Sequence, residues 1–324
     1  MKKARYLVEN DYMADPAVHV FDGKLYIYPS HDWESGIEEN DNGDHFNMKD
    51  YHVFSLEDVE NGPVTDHGVV LDVKDIPWAG RQLWDCDVAK KGDKYYMYFP
   101  LKDQTDIFRI GVAISDKPYG PFIPQSDPMK GSYSMDPAIL DDGDGKYYMY
   151  FGGLWGGQLQ RYRDNKALEC AEFPADDQPA IPARVALLSD DMLQFAEEPK
   201  AVVILDENGK PLTAGDNERR FFEASWMHKY NGKYYFSYST GDTHRLCYAI
   251  GDNPYGPFTY QGVILTPVVG WTTHHSIVEY KGKWYLFHHD SVPSGGRTWL
   301  RSLKVIELEY NPDGTIKTIE GTEK

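Results

Sequence analysis

Positive charge is in short supply in this chain: 33 lysines and arginines face 51 aspartates and glutamates, for a net charge of −18. So acidic a surface repels a phosphate backbone or an anionic bilayer, which argues against nucleic acid or membrane as partner and leaves neutral ligands unaffected. Cysteine is scarcer still. Cys86, Cys170 and Cys247 show no CxxC spacing, so neither a zinc site nor a disulfide framework is indicated, and reduced structural thiols are expected. No run of about 18 apolar residues occurs, and MKKARYLVEN at the start has no apolar segment behind its lysines. Neither a membrane span nor an export signal is read, so the chain is expected to be cytoplasmic or an exported form already processed. Helical periodicity is also rare, with a partly helical pattern only near residues 183–199. A Pro/Gly/Ser-rich linker is missing too, which points to one domain over residues 1–324.

What is abundant is aromatic. The 24 tyrosines and 8 tryptophans favour β-strands and offer flat apolar faces on which sugars stack. Many of them fall in a phrase that recurs five times: an alternating apolar segment, a tight polar turn, then lysine, aromatics and a second alternating strand. The copies start at Asp15, Trp84, Met135, Glu223 and His274, and each reads as a β-hairpin. A second phrase, Pro-Tyr-Gly-Pro-Phe, appears at 118–122 and again at 254–258, as a turn between a third strand and a fourth. The predicted fold is all-β: a five-bladed β-propeller with four-stranded antiparallel blades, in preference to a β-sandwich. The interval 154–221 reads as an elaborated blade with loops.

The first strand of each propeller blade runs beside the central axis, so matching positions converge. Counting back from the hairpin turn, Asp15 lies eight residues before Gly23, Asp136 and Glu223 nine before Gly145 and Gly232, and His274 eight before Gly282. The second blade offers Trp84 or Asp85 at the same place. Carboxylates gathered from distant parts of the chain repel one another and raise one another's pKa, a pattern that suggests chemistry more than folding. Two facing carboxyl groups are the minimum for hydrolysing a glycosidic bond. Glu223, flanked by Phe221, Phe222, Ala224 and Trp226, has the surroundings of a protonated general acid, while Asp15 before Pro16 should stay ionised as base. Asp136 is the accessory charge.

At these residues the sequence resembles glycoside hydrolase family 43. The matching pieces are ADP at 14–16, LWDCDV at 83–88 beside the family's Trp-Ala-Pro-Asp-Val, SMDPAI at 134–139, FEASWMHK at 222–229 and THHSIV at 273–278. The resemblance implies a five-bladed propeller that inverts the anomeric carbon of xylose- or arabinose-containing substrates. It implies Asp15 as general base, Asp136 as the aspartate that tunes the acid, and Glu223 as general acid. It also implies that His274, or His275 in an alternative register, is an axial histidine near a structural calcium ion; no organic cofactor is expected. Arg301 resembles an arginine that approaches the substrate or the acid carboxylate, and Trp84 should line the sugar subsite, although Asp85-Cys86 replaces the common Ala-Pro behind it. His31 and Asp32 are further candidates for substrate binding, against a plain charged loop. The acidic tract 35–46 reads as a solvated loop or as a rim narrowing the pocket.

The expected activity is exo-acting release of xylose and arabinofuranose from xylo-oligosaccharides or arabinoxylan, neutral oligosaccharides being the partners. An endo-acting arabinanase or xylanase, or a non-catalytic sugar-binding propeller, is the alternative. The latter predicts loss of one of Asp15, Asp136 or Glu223, and all three are present.

Overall fold

The computed structural model describes residues 3–162 and 173–321; Cys170 lies outside them. A two-residue strand, β1 (Arg5–Tyr6), precedes a first blade of β2 (Met13–Phe21), β3 (Lys24–His31), β4 (Asp50–Leu56) and β5 (Thr65–Asp72), paired in that order. The second blade holds β6 (Ala79–Arg81), β7 (Asp87–Lys91), β8 (Lys94–Asp103), β9 (Phe108–Ser115) and β10 (Ile123–Pro124), with β6 and β7 both against β8. The third runs β11 (Ala138–Asp141), β12 (Tyr147–Phe151), β13 (Arg184–Leu187) and β14 (Lys200–Ala201). In the fourth, β15 (Ile204–Leu205) lies parallel to the outer strand of β16 (Glu223–Tyr230), β17 (Lys233–Ser239), β18 (Leu246–Gly251) and β19 (Phe258–Leu265). The fifth has β20 (His275–Tyr280), β21 (Lys283–Asp290) and β22 (Ser302–Leu308), and takes β1 as its outer strand, Arg5 opposite Val305. The chain's two ends thus close the ring, and the five-bladed propeller is as predicted.

The hairpins form where the turn chemistry demands. Asp22-Gly23, Asn231-Gly232 and Lys281-Gly282 each hold two consecutive positive φ values, the requirement of a two-residue turn matched to strand twist. The Pro-Tyr-Gly-Pro phrase has a structural reason as well. Tyr28 of β3 donates to the Pro118 carbonyl of the second blade at 2.7 Å, and Tyr150 of β12 donates to the Pro254 carbonyl of the fourth at 2.7 Å. Each buried phenol thereby finds a partner while fastening one blade to the next.

The partly helical pattern near 183–199 is not realised. Arg184–Leu187 pairs with β12, Tyr150 opposite Val185, because a blade edge that needs a partner overrides local helix preference. Helical residues among those described are confined to short 3₁₀ turns: 73–75, 155–157 and 159–161. Cys86 and Cys247 are buried free thiols, as expected. No helix among the described residues is long and apolar enough to cross a membrane.

Candidate active site

Two of the three candidate catalytic carboxylates stand at the same kind of bulge. In β2 the register jumps from Ala14 opposite Ser30 to Ala17 opposite Tyr28, and Asp15 sits inside the jump at φ 45°. In β16 it jumps from Glu223 opposite Ser239 to Trp226 opposite Ser237, with Ala224 at φ 63°. Asp136, just before β11, is left-handed too, at φ 56°. Such a bulge inserts one residue and re-aims the neighbouring side chain, here toward the axis. A left-handed non-glycine residue costs on the order of 1–3 kcal/mol, which the surrounding sheets must hold.

These side chains meet in one cavity of about 160 Å³, whose wall includes Asp15, Trp84, Asp85, Asp136, Glu223, His274 and Arg301. The blade-equivalent positions read from the sequence therefore converge. Of the two residues offered for the second blade, both reach the cavity: Trp84 as an apolar wall, Asp85 beside Asp136 and His274.

The charges around Asp15 and Glu223 pull in opposite directions. Burial alone would raise Asp15, but the Arg301 guanidinium, whose Nη1 donates to Asp15 Oδ1 at 2.7 Å, holds it well below the usual carboxylate range. His274 Nδ1 lies 3.5 Å from the same oxygen, and the Asp15 backbone N–H donates to His289 Nδ1 at 3.1 Å. Glu223 feels the Arg301 charge too, but more weakly and with no hydrogen bond to it. Burial first, then the charges of Asp136 and Asp15, push its carboxyl well above the ordinary value. Asp136 accepts the backbone N–H of Ala224 at 2.7 Å, which fixes the peptide next to Glu223. Asp85 is also driven far up, by burial and by Asp136, to which it is hydrogen-bonded.

Arg301 is 2% exposed and reaches the cavity, where it hydrogen-bonds to Asp15 and not to Glu223. Its Nε and backbone N–H each donate to Asp32 Oδ2 at 2.8 Å, and its Nη2 to Asp32 Oδ1 at 2.7 Å. That corrects the reading of Asp32: it lies behind Arg301, off the cavity wall, and orients the guanidinium. His31 is off the wall as well. It turns to β4, its Nδ1 2.6 Å from Asp50 Oδ1, because neighbouring residues at a strand end leave on opposite faces. Of the two adjacent histidines His274 lines the cavity, whereas His275 is buried against Ser237, its Nε2 2.6 Å from the hydroxyl.

Within the tract 35–46, residues 39–46 form a rim. Glu39, Asn40, Asp41, Gly43, His45 and Phe46 all line the cavity. Gly43 lies flat on Trp84, where a Cβ would come within 2.8 Å of the ring, and Gly156 of the third blade would meet the Asn42 carbonyl at 2.7 Å. The rim of the first blade thus touches the third, bridging over Trp84. Phe222, Trp155 and Trp271 form an aromatic group on the cavity wall, with ring centroids 5.4 to 5.6 Å apart. Trp155 and Trp271 lie in loops with no counterpart in the repeated hairpin, and so carried no signal in the sequence.

One carboxyl held below the usual range thus shares a pocket with another pushed above it. Residues 8–316 match the family model described as Glycosyl hydrolases family 43. The chain belongs to glycosyl hydrolase family 43. This family 43 enzyme is 81% identical to a xylosidase/arabinosidase from Bacteroides ovatus, over 99% of its own length and 98% of the relative's. Its fold superposes on the solved RS223-Beta-xylosidase with a TM-score of 0.98 at 78% identity, covering 100% of both chains. It also matches a β-xylosidase/α-arabinofuranosidase from a compost microbial metagenome, solved with xylotriose in a calcium-free form: TM-score 0.96, 64% identity, 99% of this chain and 98% of the other.

The family 43 enzyme has a donor set that suits a hard cation. Asp85, Asp136 and His274 each bring one ligand atom within 4.8 Å of the others. Carboxylate oxygens are calcium's preferred ligands, and a divalent charge there would offset the crowding that raises Asp85.

Proposed function

We propose that this enzyme releases terminal xylose and arabinofuranose from xylo-oligosaccharides and arabinoxylan side chains, with inversion at the anomeric carbon. The observation that carries this reading is the split between two carboxyl groups in one cavity: Arg301 keeps Asp15 ionised while burial and neighbouring charge keep Glu223 protonated. Glu223 gives its proton to the glycosidic oxygen as the C–O bond breaks. Asp15 takes a proton from the water whose oxygen attacks the opposite face of the sugar. Asp136, bonded to the Ala224 N–H, holds the acid's backbone in place, and its charge sustains the acid's proton.

Trp84 and Phe46 give the sugar apolar faces, and the contact of the 39–46 rim with Gly156 favours a pocket over an open groove, hence exo over endo action. Asp85, Asp136 and His274 would hold calcium, which supplies positive charge to an acidic site. The relatives' names, xylosidase/arabinosidase and β-xylosidase/α-arabinofuranosidase, agree with both substrates.

Hydrolysis of nitrophenyl β-D-xylopyranoside and nitrophenyl α-L-arabinofuranoside tests the reading, with NMR of the first-formed anomer from xylobiose. Release from both, with the α-anomer of xylose appearing first, is expected. Glu223→Ala and Asp15→Ala should each lose on the order of 10²-fold or more in kcat/KM on xylobiose. Release from neither glycoside, or retention of configuration, overturns it.

A further inference from the structure

The geometry points to a second metal site outside the funnel, built on Asp50 between His31 and His52 and suited to zinc or a similar transition metal. Asp50 begins β4 and His52 follows two residues later on the same face, while His31 ends the neighbouring β3. His31 Nδ1 lies 2.6 Å and His52 Nε2 3.9 Å from one and the same oxygen, Asp50 Oδ1. One ligand atom from each of the three falls within 4.8 Å of the others.

A second observation concerns how the two rings are held. Each imidazole turns one nitrogen toward Asp50 and has the other secured by a further carboxylate. His31 Nε2 is 3.2 Å from Asp11 Oδ2, and His52 Nδ1 is 3.1 Å from Asp66 Oδ1. Metal-ligating histidines are held in this way, with the outer N–H donated to a carboxylate; at His31 the inner nitrogen meets Asp50 directly as well, through a proton that a bound metal would replace. The outer carboxylate occurs here twice around one aspartate. The two rings stand nearly perpendicular, at 79° with centroids 5.0 Å apart, and so are not stacked on each other.

Bonds of about 2.0–2.1 Å in a tetrahedral shell put ligand atoms roughly 3.3 Å apart, so on binding His31 Nδ1 would draw back from Asp50 Oδ1, now 2.6 Å away, and His52 Nε2 would close in from 3.9 Å. Two imidazoles and a carboxylate favour zinc, cobalt or nickel over calcium, which wants oxygens. Asp50 and His31 are buried, at 6% and 5% exposure, and the His52 side leaves a way in at 15%. Binding exchanges ring protons for the ion: each inner nitrogen gives up any proton it carries to solvent and donates its lone pair instead. The position has a structural consequence, since the residue after His31 is Asp32, which grips Arg301. A metal here clamps the ends of β3 and β4 next to that contact. Cysteine spacing gives no sign of such a site, because its donors are histidines and aspartates brought together by strand pairing.

The test is isothermal titration of the chelator-stripped full chain with zinc, in saturating calcium so that the funnel donors are occupied, together with cobalt absorption spectra. One zinc per chain is expected, and cobalt bands typical of mixed nitrogen and oxygen ligands. His52→Ala should abolish both, and Asp66→Asn, at an exposed carboxylate that holds the outer nitrogen of His52 and the Gly68 N–H, should weaken zinc by roughly 10- to 100-fold with the fold intact. Zinc binding of equal affinity in wild type, His52→Ala and Asp66→Asn overturns the proposal, as does the absence of any zinc binding in the wild type.

Discussion

Arg301 binds Asp15 through a single nitrogen, Nη1 to Oδ1 at 2.7 Å, which also donates to Thr272 Oγ1 at 3.1 Å, and gives its Nε and Nη2 to Asp32. The base is thus held by a charge that is itself held from behind, all three groups being buried. Lysine offers a compact point charge and no fork, so it cannot satisfy both carboxylates. Arg301→Lys is expected to lower kcat on xylobiose by on the order of 10²-fold, through misplacement of the base. The acid limb of its pH–rate profile should also move upward as Asp15 loses part of the charge that depresses it. Arg301→Met leaves both carboxylates without a counter-charge, and a loss of about 3–5 kcal/mol is expected in urea unfolding. An unchanged acid limb in Arg301→Lys would show that Asp15 is not the titrating base.

The alkaline limb belongs to Glu223. Its protonated form is the working one, so kcat/KM should fall as pH rises through a pKa set well above the usual range, first by burial and then by Asp136. Removing that negative charge lowers the pKa. In chelator-treated protein the residual activity of Asp136→Asn should therefore decline at lower pH than the wild type does. A limb that stays in place would mean that Asp136 does not set the acid's proton affinity.

His228 makes stability depend on pH. It is buried with its Nε2 2.7 Å from the Tyr310 hydroxyl, and burial pulls its pKa down from 6.5 to about 3. The unfolded chain then binds a proton that the folded chain refuses, so the contribution is present above the unfolded value and is lost as pH falls toward the folded one. Between about pH 6.5 and pH 5 the loss amounts to about 2 kcal/mol. His228→Phe should flatten the slope of unfolding free energy against pH in that window. The same slope in the variant would assign the effect to other buried histidines, such as His288 and His289, which are depressed to about 4 and about 3.

How far the sequence went depended on whether a residue followed the repeat. Asp15, Asp136, Glu223 and His274 were legible because each keeps a near-constant distance from its hairpin turn, and the turn fixes strand register. Arg301 and Asp32 are 269 residues apart, and nothing local to Asp32 announces the partner that draws it behind the wall. His31 was misplaced for a related reason: its destination, Asp50, lies across a strand pairing. Residues 184–187 contain good helix formers and still became a strand, because β12 offered an edge. The rim at 39–46 has no period to read at all. Its place comes from contacts with Trp84 and Gly156.

Those rim contacts yield the last prediction. At Gly156 an added Cβ would meet the backbone of Asn42, its oxygen at 2.7 Å and its carbonyl carbon at 2.9 Å, and a main chain cannot swing aside as a side-chain tip does. Gly156→Ala must therefore push the rim loop and the 155–157 turn apart, while the contacts of Asp15 with Arg301 and of Asp136 with the Ala224 N–H involve neither segment. Catalysis at the bond should survive, but the fit around the terminal sugar should loosen. KM for xylobiose is expected to rise several-fold with kcat little changed, the sign of lost uniform binding. Relative activity on soluble xylan against xylobiose should rise at the same time, since a parted rim admits chain beyond the terminal residue. If the variant keeps the wild-type KM and still acts only at chain ends, the contact between the first and third blades is not what makes the site a pocket.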